Sequence, residues 1–360
     1  MSDPQPLLHI SATEARAYAI RVLAAHDVPT HHATTIAHAL VSADIRGVDT
    51  HGLNRLPSYL SRIRAGVLSP TAEPTLTTPT PVVAHIDAHN AFGFVAADLG
   101  MRHACSVAET YGIALVSISH SNHFGMSAWL VQRALDAGMM SLVFTNSSPA
   151  LPPHGGKEKL LGVSPIAAGA PGSGKAGQPD FILDMAPSVA ARGKVYKALR
   201  RGETIPEGWA LDAEGRATTD AAEALKGVML PMGGPKGSGL AIMMDVFSGV
   251  LSGSAFAGGV TNPYDASRPA DVGHFIVAMK PDLFMSGEEF RGRMGVSYER
   301  VTGGERAQGV ERIFYPGERE EVVRGERERE GIPFVEAEVR ALDAEAEMVG
   351  VEGLKISGKV

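Results

Sequence analysis

Four short segments of this sequence gather ionisable side chains among glycines and small polar residues. The first runs Arg46-Gly47-Val48-Asp49-Thr50-His51-Gly52, with Arg55 just beyond it. Glycines on both sides let the backbone come close to a ligand, bringing Thr50 and His51 within its reach. Histidine exchanges a proton near neutral pH, and Arg55 offers a planar fork to a carboxylate. The same residues would equally make a plain helix-joining turn with surface ion pairs. The second segment, Ser119-His120-Ser121-Asn122-His123-Phe124-Gly125, follows an apolar run. That is the strand end at which α/β proteins bind ligands, although either histidine also suits a structural role. The third, Leu183-Asp184-Met185-Ala186-Pro187-Ser188, sets a carboxylate where a strand ends, as a proton-relay group or as a helix N-cap. The fourth, Gly233-Gly234-Pro235-Lys236-Gly237-Ser238-Gly239-Leu240, offers Lys236 to a phosphate or carboxylate, or is a glycine-rich turn.

Positioning these groups falls to elements that the patterning announces. Ser11-Ala-Thr-Glu14 is a capping-box pattern opening a helix to about Ala25. Thr30 caps a second helix to about Ile45, and Leu56, Leu60 and Ile63 mark a third that stops at Gly66. From about residue 75, short apolar runs such as Ile113–Ile118, Met139–Phe144 and Phe275–Met279 alternate with helical stretches. Alternation of that kind predicts an α/β layer around one sheet. Ser286–Val301 reads as a helix returning to the N-terminal helices, and Glu318–Glu330 as a solvated charged segment. A last helix is expected from Pro333 to about Met348, with Val335, Val339 and Leu342 inward. The division expected is a helical region, 1–75, joined by 281–360, and an α/β domain, 76–280.

Composition removes several classes of function. A formal net charge of −7 over 360 residues argues against a nucleic-acid partner. Cys105 is the only cysteine, so no intrachain disulfide or thiolate metal cluster forms. It sits in an apolar helical pattern with Leu99, Ala104 and Val107, which points to inert packing. Met1–Pro6 has no signal-peptide pattern and no apolar run reaches the ~20 residues of a membrane span. A cytoplasmic protein is expected. Gly172-Ser-Gly174-Lys175-Ala176-Gly177 matches a dinucleotide fingerprint, and Gly169–Ala176 is one residue from a P-loop, with Ala176 where Ser or Thr is needed, but Gln178-Pro179-Asp180 and a strand follow instead of a helix. Both phosphate motifs need helix amides directly behind them, so this stretch reads as a hairpin. His120 and His123 alone make a weak metal signal, and no metal is expected. A P-loop NTPase resting on Gly169 to Lys175, a metal-dependent hydrolase built on His120, His123 and Asp184, and an inactive ligand-binding protein remain as rivals.

In this order the four segments resemble the malate/L-lactate dehydrogenase family, which lacks the usual dinucleotide fold. Its Arg-Gly-x-x-Ser-His-Gly pattern appears as Arg46–Gly52, and its histidine segment as Asn122–Gly125. Asp184–Ala186 matches its Asp-Met-Ala, Gly234–Leu240 its Gly-Pro-Lys-Gly-x-Gly-Leu, and Tyr315–Gly317 its late Tyr-Pro-Gly. The resemblance covers nearly the whole chain to about Gly317. It implies a helical N-terminal region plus a mixed-sheet α/β cofactor-binding domain, without a Rossmann fold.

The activity implied is hydride exchange between NAD or NADP, NAD being preferred, and a small 2-hydroxy or 2-oxo acid like malate or lactate. Reduction of cyclic 2-imino acids, the Δ1-piperideine-2-carboxylate type, is the alternative within the family. By resemblance, His51 donates the proton, Thr50 and Asp184 form a relay, and Arg55 holds the substrate carboxylate with Arg46 and Val163 nearby. In other members the counterpart of His123 is the acid/base, so the reverse assignment of the two histidines stays open. The cofactor would lie against His123, Phe124, Gly125, Ser147, Asp184, Met185, Ala186, Lys236, Gly317, Glu318 and Arg319. Thr50 stands where the family usually has Ser, keeping the hydroxyl but stiffening χ1. Val163 stands where many members have Thr, so a substrate-facing hydroxyl is missing. A homodimer is a family expectation.

Overall fold

The Ser11 hydroxyl accepts the Glu14 amide N–H at 3.1 Å, and a helix starts there as the pattern requires. The computed structural model describes residues 7–359; Met1–Pro6, read above for a signal peptide, lies outside them. Strand β1 (Leu7–Ile10) leads to helices α1 (Ala12–Ala24), α2 (Thr30–Ile45) and α3 (Leu56–Arg64). Next come β2 (Thr75–Thr80), β3 (Val83–Asp87), α4 (Gly93–Tyr111), β4 (Ile113–Ser121), α5 (Ser127–Asp136) and β5 (Met140–Thr145). The middle of the chain holds β6 (Pro149–Leu151), β7 (Leu161–Gly162), β8 (Ile166–Ala170), β9 (Phe181–Met185), α6 (Arg192–Arg201), β10 (Ala210–Leu211) and β11 (Ala217–Thr218). It closes with α7 (Ala221–Lys226), β12 (Val228–Met229) and α8 (Pro235–Asp245), which loosens into a π-helical turn, Val246–Val250. After β13 (Val272–Met279) follow α9 (Gly287–Thr302), α10 (Glu318–Glu330), β14 (Ile332–Val335), α11 (Glu336–Met348) and β15 (Gly358–Lys359).

Seven strands form the main sheet in the order β2-β3-β4-β13-β5-β8-β9. Only β3 and β4 run parallel; the other neighbours are antiparallel. A Rossmann sheet is parallel with crossover helices, so this is the mixed α/β sheet expected and not that fold. Period-2 alternation sends Val116, Ile118, Val143, Ile276 and Ala278 to one face, under α4 and α5. The same apolar core continues without a break into α1–α3 and α11. On the other face Phe144, Phe275 and Val277 pack beneath Met244 and Phe247. Cys105 is buried in α4, and that burial pushes its thiol up to about 11, which fits inert packing.

Several boundaries and neighbours differ from the sequence reading. Pro29, not Thr30, occupies the cap position of α2, because its fixed φ already sets the entry angle. Helix α8 starts at Pro235, so half of the glycine-rich segment is helical. Helix α9 does not return to the N-terminal helices. Gly295 is its one buried residue, and its Glu299 and Tyr298 turn to Lys175, Gln178 and Glu318. Glu318–Glu330 is a docked helix and no loose segment: Glu321 pairs with Arg46 at 2.5 Å, and Arg327 grips Asp49 and the Asp44 carbonyl. Pro333–Val335 belongs to β14, which pairs antiparallel with β1 instead of opening the last helix. The Gly172–Gly177 stretch joins antiparallel β8 and β9 as a hairpin.

Candidate active site

Two turns of 3-10 helix, Asp49–His51 and Leu53–Arg55, join α2 to α3. They are held from below by Asp44, whose buried carboxylate accepts the Leu53 amide at 2.8 Å. Burial pushes that carboxyl well above the usual range. Gly52 passes so close that a Cβ there would stand 1.7 Å from Asp44 Oδ1. The turn sets Thr50 Oγ1 3.0 Å from His51 Nδ1. Arg55 Nε donates to the Thr50 carbonyl at 2.6 Å, and its guanidinium lies 5.0 Å from the centre of the Tyr264 ring.

His123 arrives from the end of β4 and stacks on His51, with ring centres 5.6 Å apart and planes 19° from parallel. Its Nδ1 accepts the Gly125 amide N–H at 3.1 Å and meets the Tyr59 hydroxyl at 2.7 Å. A backbone N–H only donates, so Nδ1 carries no proton and Nε2–H is the free donor. Burial, with Arg55 second, brings His51 down to about 4. His123 is held well below the ordinary range by burial, then by Arg55, His51 and His274. His274 of β13 is buried between Thr145 and Ser121, each 2.8 Å from a ring nitrogen, and burial lowers it to about 3. Three neutral imidazoles therefore meet at one end of the sheet.

A cleft of about 490 Å³ opens beside them, walled by His51, Gly125, Asp184–Ala186, Gly317 and Arg319. A smaller chamber of about 80 Å³ lies behind it, lined by Tyr59, His123, Phe124, Ser147 and Thr261. Val163 borders both spaces. Ser127 Oγ at the cleft, and Ser147 Oγ and Thr261 Oγ1 at the chamber, are buried with no hydrogen-bond partner among the described residues. Buried polar atoms seldom go unpaired, and these orphans suit a polar, elongated ligand threading the cleft to the histidines. A nicotinamide dinucleotide has that character, with an apolar wall for rings and free donors for its amide and ribose groups.

Asp184 is open to the cleft, yet its carboxylate sits deep enough that burial pushes it up to about 6. Its Oδ2 accepts the Ala128 amide at 2.7 Å and so caps α5, a helix earlier in the chain than the one it precedes. Asp184→Ala should therefore cost about 0.5–2 kcal/mol of stability, and Asp184→Asn distinctly less, because Asn keeps an oxygen acceptor. Urea unfolding of the two variants beside the parent checks this; equal losses would mean that the cap contributes nothing.

Of the residues singled out in the sequence, His51, His123, Val163, Ser147 and Gly125 line the cleft or chamber, whereas Thr50 and Arg55 line neither and stand behind His51, Thr50 against its Nδ1 and Arg55 on the Thr50 carbonyl. Phe124 lines the chamber with its ring 4.7 Å from that of His274. Arg46 reaches the cleft wall; its Nη2 is taken by Gln132 at 2.8 Å and by Glu321, while its Nη1 is buried with no hydrogen-bond partner among the described residues. Glu318 turns away from the cleft to Tyr298, Arg312 and the Tyr315 amide. Lys236 is exposed on the first turn of α8 and lines neither space. His120 pairs with Asp87 at 3.2 Å, so His120, His123 and Asp184 do not converge as a metal-dependent hydrolase would need.

Sequence reasoning passed over Tyr59 and Arg62. Arg55, at the end of the second 3-10 turn, and Tyr59 and Arg62 on α3 repeat at helical spacing, a polar stripe beside the apolar one. Arg62 is buried and donates to the carbonyls of Asn262, Asp265 and Arg268. It pins the loop that seats Tyr264 on Arg55.

Neutral imidazoles beside a fixed guanidinium, at the inner end of a dinucleotide-sized cleft, suit hydride chemistry on a small carboxylate-bearing carbonyl. That combination, on a mixed sheet without a Rossmann core, defines a dehydrogenase of 2-hydroxy acids. The sequence profile described as malate/L-lactate dehydrogenase matches residues 10–343. The malate dehydrogenase of Pyrococcus abyssi is 34% identical over 357 residues, covering 97% of this chain and 97% of the relative. The NAD(+) ureidoglycolate dehydrogenase of Escherichia coli O157:H7 is 39% identical over 310 residues, 85% of this chain and 86% of its own. Among solved structures, sulfolactate dehydrogenase from Methanocaldococcus jannaschii superposes with a TM-score of 0.91 at 32% identity, covering 96% of this chain and 98% of the other. The chain belongs to the malate/L-lactate dehydrogenase family, and is an NAD(P)-dependent oxidoreductase acting on 2-hydroxy acids. No helix among the described residues is long and apolar enough to cross a membrane.

Proposed function

We propose that this dehydrogenase interconverts a small 2-hydroxy acid of malate or lactate type and its 2-oxo acid, with His51 as the acid/base. The stacked pair of His51 and His123 beside Arg55 carries this reading. When bound, the nicotinamide cofactor supplies or accepts the hydride at the 2-carbon. Arg55 fixes the substrate carboxylate, and the Tyr264 ring keeps its guanidinium in place. Thr50 engages His51 at Nδ1, which leaves Nε2 for the substrate oxygen. His51 gives that oxygen a proton on reduction and removes it on oxidation. His123 donates Nε2–H to the same oxygen and stays neutral throughout, because the Gly125 amide holds the opposite tautomer in check. Val163, without a hydroxyl, presents an apolar wall to the substrate's side chain. Asp184 supports the cofactor side of the cleft through α5 and takes no part in a proton relay.

NAD is the proposed cofactor. The α5 N-terminus, which would draw a phosphate, is already answered by Asp184. Glu320 adds a second carboxylate at the cleft, opposing the extra phosphate of NADP. A homodimer is proposed as well, since Ile242, Val246, Val250, Leu251 and Phe256 are exposed together after β12 and would be covered by a second copy.

The deciding experiment measures NADH and NADPH oxidation with oxaloacetate, pyruvate, sulfopyruvate and cyclic imino acids in parallel. Turnover confined to imino acids would reject the 2-oxo acid reading. Arg55→Met should raise KM for the carboxylate substrate by about 10²-fold, the equivalent of losing one charged bidentate contact, with cofactor Kd little changed. An unaltered KM would remove Arg55 from the substrate site. The pH dependence follows from the low proton affinity of His51. Oxidation needs neutral His51, so its kcat/KM should stay level from alkaline pH until protonation near pH 4. Reduction needs the protonated ring, so its kcat/KM should fall as pH rises above that point.

A further inference from the structure

At the start of α2, far from the cleft, two imidazoles and a carboxylate converge. His31 and His32 occupy the first turn of the helix, and Glu73 lies in the segment between α3 and β2. The imidazole rings are 4.1 Å apart and tilted by 52°. His31 Nε2 stands 3.5 Å from Glu73 Oε1, and His32 Nε2 stands 3.4 Å from Glu73 Oε2. One ligand atom from each residue falls within 4.8 Å of the others.

These separations leave room for an ion shared by the three side chains. A normal N–H···O bond spans about 2.7–3.2 Å, so both contacts are long for direct hydrogen bonds. A tetrahedral cation with bonds of about 2.0–2.1 Å holds neighbouring ligand atoms about 3.4 Å apart. The His32 side chain is only 5% exposed, and its Nε2 faces Glu73 across the gap. Burial also favours its neutral form, which is the form that binds metal. His31 and Glu73 are 68% and 63% exposed, leaving room for water to complete the shell.

We propose that His31, His32 and Glu73 form a site for a borderline divalent cation of the zinc type. Two imidazoles and one carboxylate suit Zn²⁺, Co²⁺, Ni²⁺ or Cu²⁺, whereas Mg²⁺ and Ca²⁺ take all-oxygen shells. The 16 residues of α2 separate this site from Arg46 and His51 by about 24 Å at 1.5 Å per residue. The cation therefore clasps the start of α2 to the chain ahead of β2 and takes no part in hydride transfer.

The test titrates Co²⁺ into metal-stripped full-length protein, following visible absorption, with Zn²⁺ as competitor and calorimetry in parallel. One Co²⁺ per chain with tetrahedral band intensity, displaced by Zn²⁺, is expected. His31→Gln and Glu73→Gln replace exposed groups, and each should weaken binding at least about tenfold while dehydrogenase turnover stays at the parental value. Binding should also weaken about tenfold or more from pH 7.5 to pH 5.5, as the imidazoles protonate. No binding at millimolar Co²⁺ or Zn²⁺, or binding undiminished in both variants, overturns the proposal and leaves a bare histidine–glutamate ion pair.

Discussion

His51→Asn is expected to lower kcat by about 10²–10⁴-fold in both directions, while cofactor Kd stays near its parental value. In barrier terms that is about 3–5.5 kcal/mol, the contribution of a positioned proton donor. Asparagine keeps a polar side chain in the turn, so Thr50 and Arg55 retain their backbone settings. The slope of reductive kcat/KM against pH should vanish with the ring. His123→Asn makes the contrasting case. Removing a neutral hydrogen-bond donor aimed at developing charge lowers kcat by about 10²–10³-fold, yet should leave that slope intact, because His123 does not titrate in this range. A slope lost in His123→Asn and kept in His51→Asn would exchange the two roles. Full turnover in both variants would discard the mechanism.

Gly52→Ala should cost about 3 kcal/mol or more of stability and remove most activity. The backbone at Gly52 has a negative φ of −88°, so an L-residue meets no conformational strain there. The difficulty is space: the new methyl would stand 1.7 Å from Asp44 Oδ1 and 2.2 Å from its Cγ. Asp44 is only 1% exposed and holds the Leu53 amide, so it has nowhere to swing without orphaning that N–H. Overpacking of about 1–3 kcal/mol adds to an unsatisfied buried group of similar cost. Gly66→Ala is the control, having open space but φ of +72°, and should lose only about 1 kcal/mol. Urea midpoints and turnover of both variants measure the difference. Parental stability in Gly52→Ala would mean that Asp44 moves freely and does not key the turn.

Much of the site was legible because its chemistry is local. Arg46–Gly52 carries its glycines, hydroxyl and imidazole within seven residues, and a ligand-facing turn needs all three close in sequence. His123 and Asp184 were legible as polar residues at strand ends, where side chains leave the sheet for a cleft. Tyr59 was hidden because a buried tyrosine within an apolar helical pattern looks like core until its hydroxyl has a partner. His274 was hidden likewise, inside a continuous apolar strand. Arg46, Glu318 and Lys236 carried the right charge for a ligand, but charge alone does not say where a side chain will lie: Glu318 meets Tyr298 and Arg312, and Lys236 stays exposed on α8. Helix α10 holds Arg46 at Nη2 through Glu321 and leaves Nη1 unpaired among the described residues.

The sequence by itself determined the residue types, the periodicities and the absence of a helix behind the Gly172 stretch. From these followed the α/β class, the dehydrogenase chemistry and the rejection of a P-loop, since each depends on contacts within a few residues. Only the tertiary structure decided which groups face one another. It stacked His51 on His123 across more than seventy positions of chain, aimed Gly125 N–H at Nδ1 to choose a tautomer, and gave Asp184 to the N-terminus of α5. It also turned the charged run at Glu318–Glu330 into a helix that braces Arg46 and Asp49. Burial made the final difference: the same imidazole that titrates near 6.5 in water is held neutral here because desolvation and Arg55 both penalise its charged form.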